Sequence, residues 1–202
     1  MVIAVPAILA FLPARYGLIS KWVPFAAAAV LAVPMLAAGF APANRKFALW
    51  ERWTAAIILP VVTIIELLIL AFLLRDMASS HSGVSGLTLL TSSIAIWTTN
   101  ILVFALTYWN LDRGGPYGRA TGWKGRADLS FTHGDPSDGV PEDWQPVFAD
   151  YLALAFNTSA AFSPTDVLPL TPRAKMFMVM QSAISLVTVI AVGARAINIL
   201  GS

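Results

Sequence analysis

Long apolar runs broken by short polar links dominate this chain, and the runs have the length of membrane helices. Trp22 to Phe40, Thr54 to Leu74 and Gly86 to Trp109 each approach the roughly 20 residues that a helix needs to cross hydrocarbon. A fourth run, Met176 to about Ile197, closes the pattern. None shows the period-two alternation of a barrel strand. Backbone groups in lipid must be satisfied within their own segment, so the pattern predicts helices. Ahead of these runs, VIAVPAILAFLP is apolar over only about 12 residues, which predicts a short tilted or interfacial helix, with a full extra span as the alternative. It lacks a basic leader and is followed by PARYG, which argues against a cleaved signal peptide.

One region does not fit the alternation. From Phe148 to Leu170 the apolar half, FADYLALAF, supplies only about two and a half helical turns. Pro164 and Asp166 then interrupt it, and Thr171-Pro172 leads directly to Arg173 and Lys175 at the head of the last run. Two full spans here would place Pro164, Asp166 and Pro169 in lipid. A half-helix that enters, turns and returns avoids this, because irregular backbone is tolerated at depth where protein or water covers it. The expected fold is therefore an all-α membrane protein with about four transmembrane helices. A short N-terminal helix and a re-entrant, pore-loop-like segment before the last helix complete it.

The longest polar stretch, Asn110 to Gln145, is dense in Gly, Pro and Asp and reads as turns. It divides the chain into N-terminal helices (1–109), a polar loop (110–146) and a C-terminal module (147–202). Composition strengthens the membrane reading: 57% of the 202 residues are hydrophobic and 12% charged, against roughly 25% charged in soluble domains. Mean hydropathy is +0.72. With no cysteine, neither disulfides nor thiolate metal sites are available. Trp22, Trp50, Trp53, Trp109 and Trp144 lie near run ends, where indoles sit at headgroup level.

The stretch AFNTSAAFSPTDVLPLTPRAK, aligned without gaps, resembles the pore helix, filter and outer mouth of tetrameric potassium channels, whose pattern is T-x-T-T-V-G-Y-G-D followed by P-x-T. Thr158, Asp166, Pro169 and Thr171 fall on matching positions. The WERW, LDRGGP, DYL and AFSPTD stretches also resemble a family of uncharacterised bacterial membrane proteins, which implies no activity. The channel resemblance implies a homotetramer around the last helix, in the bacterial inner membrane, passing a small ion. The family's TVGYG is here Ala161-Phe162-Ser163-Pro164-Thr165. Both glycines that let filter carbonyls face an ion are gone, and Pro164 fixes φ and removes a donor. A potassium cage is thereby disfavoured. The expected constriction consists instead of Thr158, Ser159, Ala161, Phe162, Ser163, Pro164, Thr165 and Asp166, with a ring of Asp166 carboxylates favouring cations. A non-conducting scaffold that keeps the pore-loop fold is the competing expectation.

On the last helix Gln181, Ser185, Thr188, Val192 and Arg195 share a stripe at about 100° per residue. Such a stripe lines water or packs against a neighbouring helix. Arg195 would oppose cations at the far mouth. Glu66 is an intramembrane carboxylate, which costs a few kcal/mol or more if ionised. It is expected to be protonated or paired, either with a role in proton or ion coupling or as a structural carboxyl bonded to Asn100, Thr98, Thr99 or an indole, with Pro60 kinking its helix and opening room for a water. WNLDRGGP reads as a turn with an Asp112–Arg113 ion pair, Arg113 being an alternative contact for a lipid phosphate. His81 and His133 stand apart with no metal-spaced partners, so no metal or other cofactor is implied. The absence of HExxH, GxSxG or a phosphate-cradling loop removes the common enzyme classes. Partners expected are copies of the chain, lipid and a small ion, with no nucleic acid. Orientation is split: short-loop charge from Arg45, Lys46 and Arg52 puts the pore mouth in the cytoplasm, and the channel resemblance puts it outside.

Overall fold

The computed structural model describes residues 45–78, 86–131, 144–160 and 167–200. The expected N-terminal helix, the run Trp22 to Phe40, Trp22 itself, His81, His133 and the constriction residues Ala161, Phe162, Ser163, Pro164, Thr165 and Asp166 lie outside the described residues.

Helix α1 (Arg45–Ala78) is 34 residues long with Pro60 inside it. It absorbs Arg45 to Trp53, which the sequence assigned to a loop. Helix α2 (Gly86–Leu111) ends at a short 3-10 turn, Asp112–Gly114, and a brief helix α3 (Gly115–Ala120) follows. Strand β1 (Leu129–Phe131), helix α4 (Phe148–Ser159), strand β2 (Val167–Pro169) and helix α5 (Pro172–Leu200) complete the order. Among the described residues two segments are long and apolar enough to cross a membrane: Leu90–Ala120 with mean hydropathy 1.5, and Pro172–Ala191 with 1.6.

The described residues are mostly helical, but they are not all-α. β1 and β2 pair antiparallel, with Leu129 opposite Pro169, Ser130 opposite Leu168 and Phe131 opposite Val167. The LSF stretch went unnoticed because three residues among turn formers carry no periodic signal.

The core is built around α2, whose residues Ile101 to Leu106 are all buried because α1, α4 and α5 pack on different sides of it. The outer sides of α1 and α5 are apolar yet exposed, with Ile57, Ile64 and Phe72 on one helix and Val179, Leu186 and Ile190 on the other.

Between α2 and α3 the LDRGGP turn reverses the chain through three consecutive left-handed residues, Arg113 (φ 51°), Gly114 (φ 73°) and Gly115 (φ 75°). Two glycines make this cheap, since a side chain there is strained. Gly118 has a different constraint: a Cβ would lie 2.1 Å from the Arg113 carbonyl oxygen.

Two buried aspartates tie the polar segment to the bundle. Asp112 Oδ1 accepts from the backbone N–H groups of Asp128 (2.9 Å) and Leu129 (3.1 Å), and Oδ2 accepts from the Tyr151 hydroxyl (2.8 Å). Arg113 Nε is 3.6 Å from the same carboxylate, so the expected ion pair exists but is the weaker of its contacts. Asp128 holds the head of α5. It accepts from Thr171 Oγ1 and, in a two-pronged pair, from Arg173 Nε and Nη2, each at 2.6 Å. Arg119 donates to the carbonyls of Trp109 (2.9 Å) and Asp112 (3.0 Å) and stacks 3.9 Å from the centre of the Trp109 ring. Trp109 also meets Phe148 and Tyr151 edge-on, so this indole belongs to the core rather than to an exposed belt.

Removing the Asp128 carboxylate is expected to free the start of α5 and loosen the ribbon. Arg173 is more than half exposed and can resolvate, so the expected cost of Asp128→Ala is about 1–3 kcal/mol. Thermal unfolding in lipid, with limited proteolysis of the 121–147 region, checks this. Gly118→Ala should destabilise more than Gly193→Ala, whose added Cβ meets nothing within 4 Å.

Candidate functional site

The segment that broke the apolar pattern is an out-and-back excursion. α4 begins with its own brace, the Val147 N–H donating to Asp150 Oδ2 at 2.7 Å, the carboxylate half of a capping box. The helix runs 12 residues to Ser159. The chain returns at Val167, which pairs with Phe131, whose ring stands 5.3 Å from that of Tyr151 in the first turn of α4. The return therefore ends at the level where the helix began. Tyr151 to Ser159 rises about 12 Å by helical geometry.

A helix that stops inside a bundle leaves its last four carbonyls without intrahelical partners. Two of these four, those of Thr158 and Ser159, find side-chain donors, as does the Ala155 carbonyl just before them. Gln181 Nε2 donates to the Ala155 carbonyl (2.7 Å) and to Ser159 Oγ (2.7 Å). Ser182 Oγ reaches the Thr158 carbonyl at 3.5 Å. The Ser159 carbonyl accepts from Ser185 Oγ and, at 3.4 Å, from the Trp97 indole, which also donates to Ser185 Oγ at 3.0 Å. The Phe156 carbonyl is taken by the Ala160 N–H at 2.9 Å. Gln181 is itself held: its Oε1 accepts from the Tyr108 hydroxyl (2.7 Å), and its backbone carbonyl accepts from Asn100 Nδ2 (3.2 Å).

This fixes the role of the α5 stripe. Gln181, Ser185 and Thr188 are buried against the chain's own helices, at 0%, 1% and 1% exposure, so within one chain they face inward and line no open lumen. Thr188 Oγ1 donates back to the Ile184 carbonyl. Within one chain, their burial and bonds fit the packing alternative for these three residues. The side chains of Val192 and Arg195 lie outside the described residues, though both belong to α5. Of the constriction set, Thr158 and Ser159 are described. Both are buried, with Thr158 Oγ1 donating to the Leu154 carbonyl and Ser159 Oγ accepting from Gln181.

The carbonyls of Ala155, Phe156, Thr158 and Ser159 are thus occupied, but the helix dipole is not cancelled. Peptide dipoles along α4 leave about half an elementary negative charge at its C-terminal end, and a cation is favoured there. That end is the C-terminus of α4 at Ser159. It lies level with Ser185, about 20 Å along α5 from Pro172 by helical rise.

Glu66 has none of the expected partners. It is 1% exposed, and neither carboxyl oxygen has a hydrogen-bond partner among the described residues. Asn100 donates to Gln181 and Thr98 to the Ile94 carbonyl.

Sequence reading placed Tyr108, Trp97 and Tyr151 in apolar runs and gave them no part in a site. The usable signal was a side-chain donor spaced to meet the end of a half-helix, which a single sequence does not pair with its acceptor. Among the described residues no group of three metal-ligating side chains occurs.

Replacing Gln181 by Leu should leave the Tyr108 hydroxyl, the Ala155 carbonyl and the Ser159 hydroxyl without this partner. The expected loss is about 3–5 kcal/mol, from two or three buried groups at roughly 1–3 kcal/mol each with partial relaxation. Ser182→Ala, which removes one long bond at a more exposed position, should cost under about 1 kcal/mol. Thermal unfolding in lipid checks the order.

No protein-family model, curated protein or solved structure matches the chain.

Proposed function

We propose that the chain is an α-helical protein of the bacterial inner membrane whose α4–β2 excursion is a re-entrant loop. Around the last helix four copies form a ring, and the turn from Thr158 to Asp166 is the constriction of a passive path for a small cation. The two apolar segments and the exposed apolar sides of α1 and α5 support membrane insertion, because contiguous apolar surface of this kind is rare on soluble monomers. Counting the runs Trp22 to Phe40 and Thr54 to Leu74 gives four spans.

One observation supports the cation reading: a half-helix stops inside the bundle and its chain is back at the starting level by Val167, so the negative end of α4 lies at the tip of the excursion. About 20 Å below the head of α5, such a tip lies past the middle of a roughly 30 Å hydrocarbon core. The potential of such a tip attracts cations and repels anions.

A second reading is favoured by a separate observation. The polar stripe of α5 is spent inside the chain, and the side of α5 left exposed is apolar, with Val179, Leu186 and Ile190. A ring of α5 helices would then be joined or lined by apolar side chains, either a constriction that gates by dewetting or a sealed contact. The sealed contact makes the protein a non-conducting membrane scaffold.

Mass measurement in native-lipid nanodiscs, followed by flux into proteoliposomes, separates the two. The conduit reading expects a fourfold ring and a cation flux that falls several-fold in Asp166→Asn while the fourfold mass is retained. A ring with no flux above empty vesicles establishes the scaffold, and a monomer or dimer removes the axial constriction altogether.

A further inference from the structure

The polar side chains buried in the bundle are largely matched donor to acceptor, and Glu66 is the one carboxyl among the described residues that is buried without a partner. It sits near the middle of the buried side of α1, with Leu59, Thr63, Leu70 and Leu73 before and after it at helical spacing. Burying a carboxyl this way gains nothing for packing that a leucine would not supply, and leaves two acceptors unsatisfied. An isolated carboxylate in such surroundings is far more costly than the neutral acid.

Near it, lined by Thr63 and Leu67 but not by Glu66 itself, is a cavity of about 510 Å³ between α1, α2 and α5. Its α1 wall includes Pro60, Thr63 and Leu67, and its α2 wall Phe104, Thr107 and Asn110. At one end stand Trp123 and Arg173, both exposed, which marks that end as open to the aqueous side of the polar segment. Thr63 is one helical turn from Glu66 on the same side of α1, about 5–6 Å between Cβ atoms. The polar groups on the walls share one property. Thr63, Thr107 and Asn110 each donate back to a carbonyl of their own helix, at 3.0, 2.8 and 2.8 Å. Their side-chain oxygens therefore remain acceptors for water. Pro60 adds another, because it has no N–H to give the Ala56 carbonyl, and Ala56 also lines the cavity.

From this arrangement we infer that Glu66 is a proton-exchange site, a buried carboxyl that takes up and releases a proton through water in the α1–α2–α5 cavity. The path runs from the Trp123 and Arg173 end past Asn110, Thr107 and Thr63. A row of acceptors suits water, which brings the donors the walls lack, and Glu66 lies one helical turn beyond Thr63, the acceptor of that row nearest to it on α1. Few charges compete with the site. α2 carries no charged residue, and its Tyr108 donates to Gln181. On α3, Arg119 is engaged with Trp109, Asp112 and Tyr151, and Tyr117 is the remaining titratable group. On α5, Arg173 is paired with Asp128, and Lys175 is exposed one turn or less from the helix start. On α1 itself, Arg75 is exposed in the last turn. The proposal does not depend on the cation path at the α4 tip, since it concerns a site inside each chain.

Infrared difference spectroscopy on the full chain in lipid vesicles tests it through the carbonyl stretch of a protonated carboxyl. The expected result is a band that shifts on transfer to D2O, converts reversibly to carboxylate as pH is raised, and is lost in Glu66→Gln. The chain has three glutamates, Glu51, Glu66 and Glu142. Carbon-13 at the glutamate side-chain carboxyl distinguishes this band from those of aspartates in the unaltered protein, so the test survives a variant that fails to fold. Thr63→Val, close in shape but lacking the hydroxyl, should keep the band and slow its deuterium shift several-fold. A glutamate band that stays unshifted in D2O overturns the proposal, as does the absence of any protonated glutamate band at all pH values. Exchange equally fast in Thr63→Val overturns the path.

Discussion

The constraint on which the rest depends is that α4 ends inside the protein. A helix end in water hands its last carbonyls to solvent, but one enclosed by other helices must be given donors or lose about 1–3 kcal/mol for each carbonyl stranded. Gln181, Ser182, Ser185 and Trp97 supply those donors from two different helices. The need dictates what α5 and α2 carry at that depth. It also explains why polar residues recur on α5 at helical spacing while its outer side remains apolar. The stripe is complementary to the end of α4, and so sets the depth and rotation of α5 against it.

Asp112 and Asp128 impose the matching constraint at the opposite end of α4. Asp112 fastens the end of α2 to Tyr151 and β1, and Asp128 fastens β1 to the head of α5. Because Phe131 pairs with Val167 in the same ribbon, both ends of the excursion are anchored at one level. Burial of these aspartates is tolerable because each accepts several hydrogen bonds from fixed donors; a buried carboxylate left with fewer would be destabilising. The polar segment thus acts as a clasp for the helices, although its composition reads as solvent-exposed turns.

What was legible in the sequence follows from which signals are local. The apolar runs, the shortness of FADYLALAF and the Pro164–Asp166 break give helices α2, α4 and α5 directly, since length and hydropathy are properties of a single segment. The LDRGGP turn was likewise readable from two adjacent glycines. Partnerships were not readable. Asp112 was assigned to its neighbour Arg113, yet its stronger partners are Tyr151 and the backbone of residues 128 and 129, which only the fold brings near. The Gln181 stripe was visible as a stripe, but periodicity shows that residues share a side and not what that side meets. The β ribbon escaped for the same reason: three residues form a strand when a partner is present, and carry no mark of it otherwise.

Glu66 differs from the buried aspartates and from most buried polar groups of the bundle in having no hydrogen-bond partner. Gln181, Asn100, Ser159, Asp112 and Asp128 sit where α2, α4 and α5 converge, and each has a structural use that its bonds name. Glu66 sits on α1, outside that convergence, on a helix interrupted by Pro60 and flanked by a cavity. A bundle held rigid by matched bonds on one side and left with an unmatched acid on the other divides its polar residues between two tasks. Those on α2, α4 and α5 fix the geometry of the excursion. The carboxyl on α1 contributes no bond to that geometry, so its burial is not explained by folding, and the cavity beside it is the physical feature that gives it something to exchange with.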